Sequence, residues 1–226
     1  GRFERREPLG FSPVGFCDLN GDRVVDAASE THVYLNDGRG RFTRSSAIPN
    51  GGPGRPGSLA FADVDGDRDS DVIVLHTGEP SRVLLNDGKG LLRDSGQTLP
   101  PVDQGWGFVQ AGDLTGDNFA DLVITNKDKP AQVWANDGKG TFTDSGVRLG
   151  DGDNNTWTNC VLMDFDGDGD LDVFITNRSS GKHGLWFNQL VERRGGVASD
   201  HLPLDSPSAS IIDVIPASAC PSAQQS

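Results

Sequence analysis

Residues 164–172 read DFDGDGDLD, with an Asp at every second position. Carboxylates spaced in this way repel one another by roughly 1 kcal/mol or more per close pair, even near solvent. The segment is therefore either a solvated acidic run or a cage for something positive. Three other segments align with it without gaps: DLNGDRVVD from Asp18, DVDGDRDSD from Asp63 and DLTGDNFAD from Asp113. Asp holds positions 1, 5 and 9 in all of them, and Gly21, Gly66, Gly116 and Gly167 hold position 4, where a sharp bend must avoid a Cβ clash. A solvated run has no reason to keep that register.

The four starts lie 45, 50 and 51 residues apart. A second motif follows the first three: YLNDGRGRFT from Tyr34, LLNDGKGLLR from Leu84 and WANDGKGTFT from Trp134, with only WFN surviving from Trp186. A period near 50 residues marks a propeller or another stacked array. Before each acidic loop stands a short apolar stretch, and after it a run rich in β-branched residues such as DVIVLHT or DVFITN. A second apolar run leads into Asn-Asp-Gly, a hairpin turn whose residues tolerate positive φ. A weaker segment such as TFTDSG completes four antiparallel strands, and helical periodicity is absent.

The expected fold is all-β: a propeller of about four four-stranded blades over residues 1–190, followed by a mobile tail over 191–226 rich in Ser, Pro and Ala. GRFERR at the N-terminus resembles GRFTRS of the first unit's fourth strand. It could close a four-bladed ring as the outer strand of the last blade, or the chain could be part of a larger propeller. Closure is favoured for the chain alone, because an open array leaves two apolar faces wet.

Alternate spacing is what a calcium loop requires. Side-chain oxygens at positions 1, 3 and 5 turn to one centre, position 7 offers its carbonyl, and position 9 closes the cage. Calcium accepts six to eight oxygens with loose geometry, whereas magnesium demands a small octahedron, and a set without Cys or His disfavours zinc and copper. The expected ligands in the first loop are Asp18, Asn20, Asp22, the Val24 carbonyl and Asp26. In the second they are Asp63, Asp65, Asp67, the Asp69 carbonyl and Asp71. The third offers Asp113, Thr115, Asp117, the Phe119 carbonyl and Asp121; the fourth offers Asp164, Asp166, Asp168, the Asp170 carbonyl and Asp172. An EF-hand fails as a reading, since it needs Gly at position 6 and Glu at position 12, where these loops carry Ser29, Val74, Ile124 and Ile175. Up to four Ca²⁺, adding +8, would take the net charge from −13 to −5. Loops two and four, with four Asp side chains each, are expected to bind more tightly than loop three.

The acidic loop with its downstream Asn-Asp-Gly-x-Gly-x-Phe turn resembles the FG-GAP/VCBS repeat of integrin-α-type propellers. LLNDGKG and WANDGKGTFTDSG are similar to variants in cartilage acidic protein-like VCBS proteins. The resemblance covers about residues 1–190 and implies a calcium-stabilised propeller with its metal loops between the first two strands of each blade. It implies an extracellular or cell-surface setting and a role in adhesion, carbohydrate binding or an accessory domain. A family propeller usually has seven blades, so four leave completeness open.

A net charge of −13 argues against nucleic acid and anionic membrane surfaces, and no apolar run reaches the roughly 18 residues of a membrane span. The chain opens on Gly1 without a signal peptide, as a processed form or fragment would, which leaves the compartment open. Cys17, Cys160 and Cys220 are too few and too dispersed for a disulfide scaffold or zinc cluster, and read as inert thiols. Phe11, Pro56, Trp106 and Trp157 each precede a loop by seven residues, at the mouth of a central channel, where Trp106 and Trp157 are candidates to stack on a sugar or partner side chain. His32, His76, His183 and His201 share no repeat position and no nucleophile signature, and the sequons at Asn154 and Asn177 are common chance matches. The expected function is a non-catalytic calcium-binding module that engages a protein or glycan. The alternatives are an accessory or catalytic domain of a larger secreted enzyme, and a structural subunit of a large assembly.

Overall fold

The computed structural model describes residues 9–49, 56–103, 107–150, 157–177 and 183–190. The expected C-terminal tail and the N-terminal closing strand both lie outside these residues. The described chain is all-β and forms four antiparallel sheets arranged as β-propeller blades. Blade 1 comprises β1 (Pro13–Cys17), β2 (Asp26–Ser29), β3 (His32–Asn36) and β4 (Phe42–Ala47). Blade 2 comprises β5 (Pro56–Ala62), β6 (Asp71–His76), β7 (Ser81–Asn86) and β8 (Leu92–Leu99). Blade 3 comprises β9 (Phe108–Gly112), β10 (Asp121–Asn126), β11 (Lys129–Asn136) and β12 (Phe142–Leu149). Blade 4 shows three strands among the described residues: β13 (Trp157–Met163), β14 (Asp172–Asn177) and β15 (Gly184–Trp186). Each is a plain meander in chain order, and each acidic loop joins the first strand to the second.

The second strand explains the β-branched runs. Every residue of β6 is buried, because a middle strand is covered on both faces by neighbouring blades. The core accordingly divides into three apolar clusters, one at each blade junction. The first contains Leu19 and Val33 of blade 1 with Val72 and Leu84 of blade 2. The second joins Val64 and Ile73 to Val109 and Leu122, and the third joins Leu114 and Val133 to Val173 and Ile175. Full burial of one such Leu or Ile contributes about 1.5–3 kcal/mol. Gly15 leaves room at the first junction for the Phe61 ring, which a Cβ there would displace.

A polar staple accompanies each apolar junction. The Asn86 amide donates to the Leu19 carbonyl of blade 1 at 2.8 Å and to the Ser70 carbonyl of its own blade at 3.0 Å. Asn136 does the same toward Val64 and Ala120, at 2.9 and 3.1 Å. Asn188 follows toward Leu114 and Leu171, at 3.0 and 3.3 Å. Asparagine supplies two donors on one nitrogen, so a single side chain satisfies two carbonyls in different sheets.

Phe11 does not face a channel. It stacks on Tyr34 within its own blade, ring centroids 3.7 Å apart, with Phe42 edge-on at 5.7 Å. Trp157 opens β13, but its side chain, like the whole of Trp106, lies outside the described residues. Buried Asn177 does not present its sequon, and Asn154 lies outside the description. Cys160 is buried among apolar residues that push its thiol up to about 12, as an inert cysteine requires.

The staple is testable. Asn136→Ala leaves two carbonyls without their donor and should cost about 1–3 kcal/mol in urea unfolding. A change below about 0.5 kcal/mol would mean that the junction holds by apolar contact alone.

Candidate metal centres

Each acidic loop folds on its own carboxylates. The position-1 Asp accepts from the backbone N–H of position 4 and from that of position 6. For Asp63 these donors are Gly66 at 2.7 Å and Arg68 at 2.9 Å; for Asp164 they are Gly167 at 2.6 Å and Gly169 at 3.1 Å. The position-5 Asp accepts from the N–H of position 7, as Val24 to Asp22 at 2.8 Å, Asp69 to Asp67 at 3.0 Å and Phe119 to Asp117 at 2.9 Å. Asp18 and Asp113 repeat the first pattern, and Asp168 the second.

Position 4 is glycine for a reason other than a clash. A Cβ on Gly167 would meet nothing within 4 Å, but the backbone there has φ +82°, and the other three glycines are likewise left-handed. Position 6 is left-handed too, at Arg23, Arg68 and Asn118 as well as Gly169. Holding a side chain there costs roughly 1–2 kcal/mol, which the hydrogen bond to the position-1 carboxylate offsets. Position 7 turns its side chain away toward the downstream turn. Asp69 lies so close to Gly88, and Phe119 to Gly138, that a Cβ on either glycine would collide.

Position 9 does more than complete a loop. Asp26, Asp71, Asp121 and Asp172 are fully buried. One oxygen of each accepts from the position-2 N–H (Leu19, Val64, Leu114 and Phe165, 2.8–3.0 Å). The other accepts from the N–H of the turn asparagine (Asn36, Asn86, Asn136 and Asn188, 2.8–2.9 Å). One carboxylate thus ties the loop to the far end of the third strand. The retained Asn in the shortened WFN of unit four was the sequence signal for this role, because no Asp-Gly follows it there.

The carboxylate oxygens of Asp63, Asp65 and Asp71 lie within 4.8 Å of one another, as do those of Asp164, Asp166 and Asp172. Oxygens on opposite sides of one Ca²⁺ stand about 4.6–5.2 Å apart, so positions 1, 3 and 9 can share an ion. Asp67 and Asp168 at position 5 fall outside these tight sets, as do the carboxylates of loops one and three. Asn20 is turned partly inward on the loop itself, its amide donating to Asp22 at 3.0 Å. Two position-3 oxygens, Asp65 Oδ1 and Thr115 Oγ1, are buried without a hydrogen-bond partner. Leaving such an atom unsatisfied costs about 1–3 kcal/mol, and a cation in the loop would remove that cost. These residues therefore fit a hard divalent ion.

Electrostatics agree. Desolvation pushes Asp71 up to about 6 and Asp121 up to about 7, against the N–H bonds that lower both. Asp26, Asp172, Asp65 and Asp166 are also raised, burial first and neighbouring carboxylates adding to it. Each loop is short of positive charge at neutral pH.

Fold and loops together define a β-propeller built from acidic-loop repeats. The FG-GAP-like repeat profile matches residues 18–74, 63–124 and 113–175, and the chain belongs to that family. No curated protein matches it. Among solved structures it is similar to an Agrocybe aegerita lectin that recognises non-reducing terminal N-acetylglucosamine. That likeness has 26% identity over 75% of this chain and 49% of the lectin, with a TM-score of 0.51. It is also similar to the Photorhabdus luminescens Tc holotoxin pore, at 21% identity over 82% of this chain and 9% of that one, TM-score 0.46. The chain thus spans about a tenth of one and half of the other.

The raised carboxylates give a signed prediction. Without metal, their contribution to stability is present below about 3.8 and is lost as pH rises through about 6 for Asp71 and about 7 for Asp121. A bound cation holds them ionised and reverses that loss. The rise in melting temperature on adding Ca²⁺ should therefore be largest above pH 7 and shrink steadily toward pH 5. A rise that stays constant across this range would show that these carboxylates do not hold the ion.

Proposed function

We propose that the chain is a calcium-stabilised, non-catalytic recognition module that works outside the cell and engages a protein or glycan. The convergence of three carboxylates in loops two and four is the observation that carries this reading. Asp63, Asp65 and Asp71, and likewise Asp164, Asp166 and Asp172, would hold the ions, with the carbonyls of Asp69 and Asp170 completing the shells. The bound ion supplies positive charge that cancels carboxylate repulsion and fixes the first two strands of a blade. Loops one and three would bind more weakly through Asn20 and Thr115. Extracellular calcium modules work at dissociation constants of about 10⁻⁴–10⁻³ M, a range suited to sites exchanging with solvent.

A recognition role accords with the repeat family and with likeness to a lectin. It accords also with the commitment of the loop carboxylates to backbone N–H groups, which withdraws them from acid–base work. His76 is buried, and desolvation lowers its imidazole, as suits a histidine packed in a blade interior.

Isothermal titration with Ca²⁺ should show at least two sites, and Asp71→Asn should remove one while leaving the fourth loop's site intact. Retention of every site in that variant would overturn the ligand assignment. Glycan-array binding should depend on Ca²⁺. Turnover of a sugar or ester substrate, abolished by a single substitution in a cleft, would instead make this an enzyme.

A further inference from the structure

At the strand ends opposite the acidic loops, blades 2 and 3 leave a cavity of about 60 Å³ between them. Pro100, Pro101 and Val102, on the chain leading out of β8, form one side. Ile124 and Asn126 of β10 form the other, with Pro130 and Gln132 of β11. Val102 is pinned in place, its N–H donating to the His76 carbonyl and its carbonyl accepting from the Gly78 N–H, both at 3.0 Å. A cavity of this size admits a few non-hydrogen atoms and falls short of the roughly 150 Å³ that takes a benzene ring. One small group can enter it, and the rest of a ligand must stay outside.

Two side-chain amides give the cavity its chemistry. The Trp134 indole N–H donates to Gln132 Oε1 at 3.3 Å. The backbone N–H groups of Asp103 and Lys127 donate to Asn126 Oδ1 at 2.9 and 2.8 Å. Each carbonyl end is thereby fixed, and each NH₂ end is left to donate. Among the described residues neither NH₂ meets an acceptor, although both side chains are half-buried. Val102 and Ile124 supply a buried apolar wall. Lys129 at the mouth is paired with Asp103 at 2.8 Å and so adds no net charge. A carboxylate drawn into such a site would lose water without gaining a counter-charge. A neutral carbonyl with a methyl group beside it needs only the two donors and the wall. The matching positions of blade 2 carry His76, Glu79 and Arg82, with Arg82 turned to Asp94 at 3.6 Å, so the pair of amides is not a property of every repeat.

We propose that this cavity takes the acyl group of an acetylated sugar. The acyl carbonyl accepts from the NH₂ groups of Asn126 and Gln132, using both of its lone pairs, and the methyl group lies against Val102 and Ile124. The sugar ring stays at the mouth. There the exposed Lys129–Asp103 pair offers donors and acceptors to hydroxyl groups, and exposed Pro101 offers an apolar surface to the ring's C–H face. A charged mouth of this kind favours a hydroxylated ligand over the apolar side chain of a peptide. This ligand class presupposes the recognition role proposed above, and no ion in the loops takes part in holding it.

The test is titration of the 226-residue chain with N-acetylglucosamine and N-acetylgalactosamine, each beside its parent hexose, followed by NMR. Both acetylated sugars should bind, and saturation transfer should be strongest at the acetyl methyl. The side-chain NH₂ signals of Gln132 and Asn126 should shift with them, and the parent hexoses should do neither. Gln132→Glu and Asn126→Asp keep the shape and the accepting oxygen but put an acceptor where each donor stood. Each should weaken binding about tenfold or more while leaving the melting temperature near that of the wild type. Glu79→Gln, exposed on blade 2 at the position matching Lys129, should bind as the wild type does. Equal binding of the parent hexoses, silent NH₂ signals or variants with undiminished affinity would overturn the proposal. An N-acetylated peptide that binds where the sugars do not would overturn it too. Ca²⁺-dependent capture of a glycan that ignores both amide substitutions would leave the recognition role standing and sink this cavity alone.

Discussion

The buried position-9 aspartate is the constraint on which each blade depends. It sits in a desolvated site where ionisation is unfavourable, yet both its oxygens are used, one by the loop's second N–H and one by the turn asparagine. The loop, the second strand and the end of the third strand are fixed by a single side chain. The same asparagine then reaches into the preceding blade. Local loop closure and global blade stacking are in this way one connected hydrogen-bond chain, repeated along the molecule.

Charge is the cost of that arrangement. Position-1 carboxylates wrap the loop backbone, position-3 oxygens turn to the same centre, and little cationic charge stands nearby to balance them. Two position-3 oxygens are buried without a donor, a cost that a bound cation would remove. With the proposed Ca²⁺ in these loops, the protein would be most stable where that ion is plentiful.

Stacking has a second consequence. A propeller blade has no solvent face on its middle strands, so β6 is buried throughout and the apolar residues of one blade are always half of an interface. In blade 1 part of that role falls to Phe11, which stacks on Tyr34 and Phe42.

The repeat register, the strand order within a blade and the position of the acidic loops were legible in the sequence, because each arises from contacts a few residues apart. Asp at alternate positions, Gly at a left-handed bend and β-branched runs carry their reasons locally. The double duty of Asp71, the staple from Asn86 to Leu19, and the stacking of Phe11 on Tyr34 were not legible. They join residues whose separation is set by how blades pack, and a turn asparagine looks the same whether or not it crosses to another sheet. The convergence of positions 1, 3 and 9, with position 5 outside the tight set, was likewise decided only by the folded loop. There the backbone's own N–H groups would compete with a cation for the same oxygens.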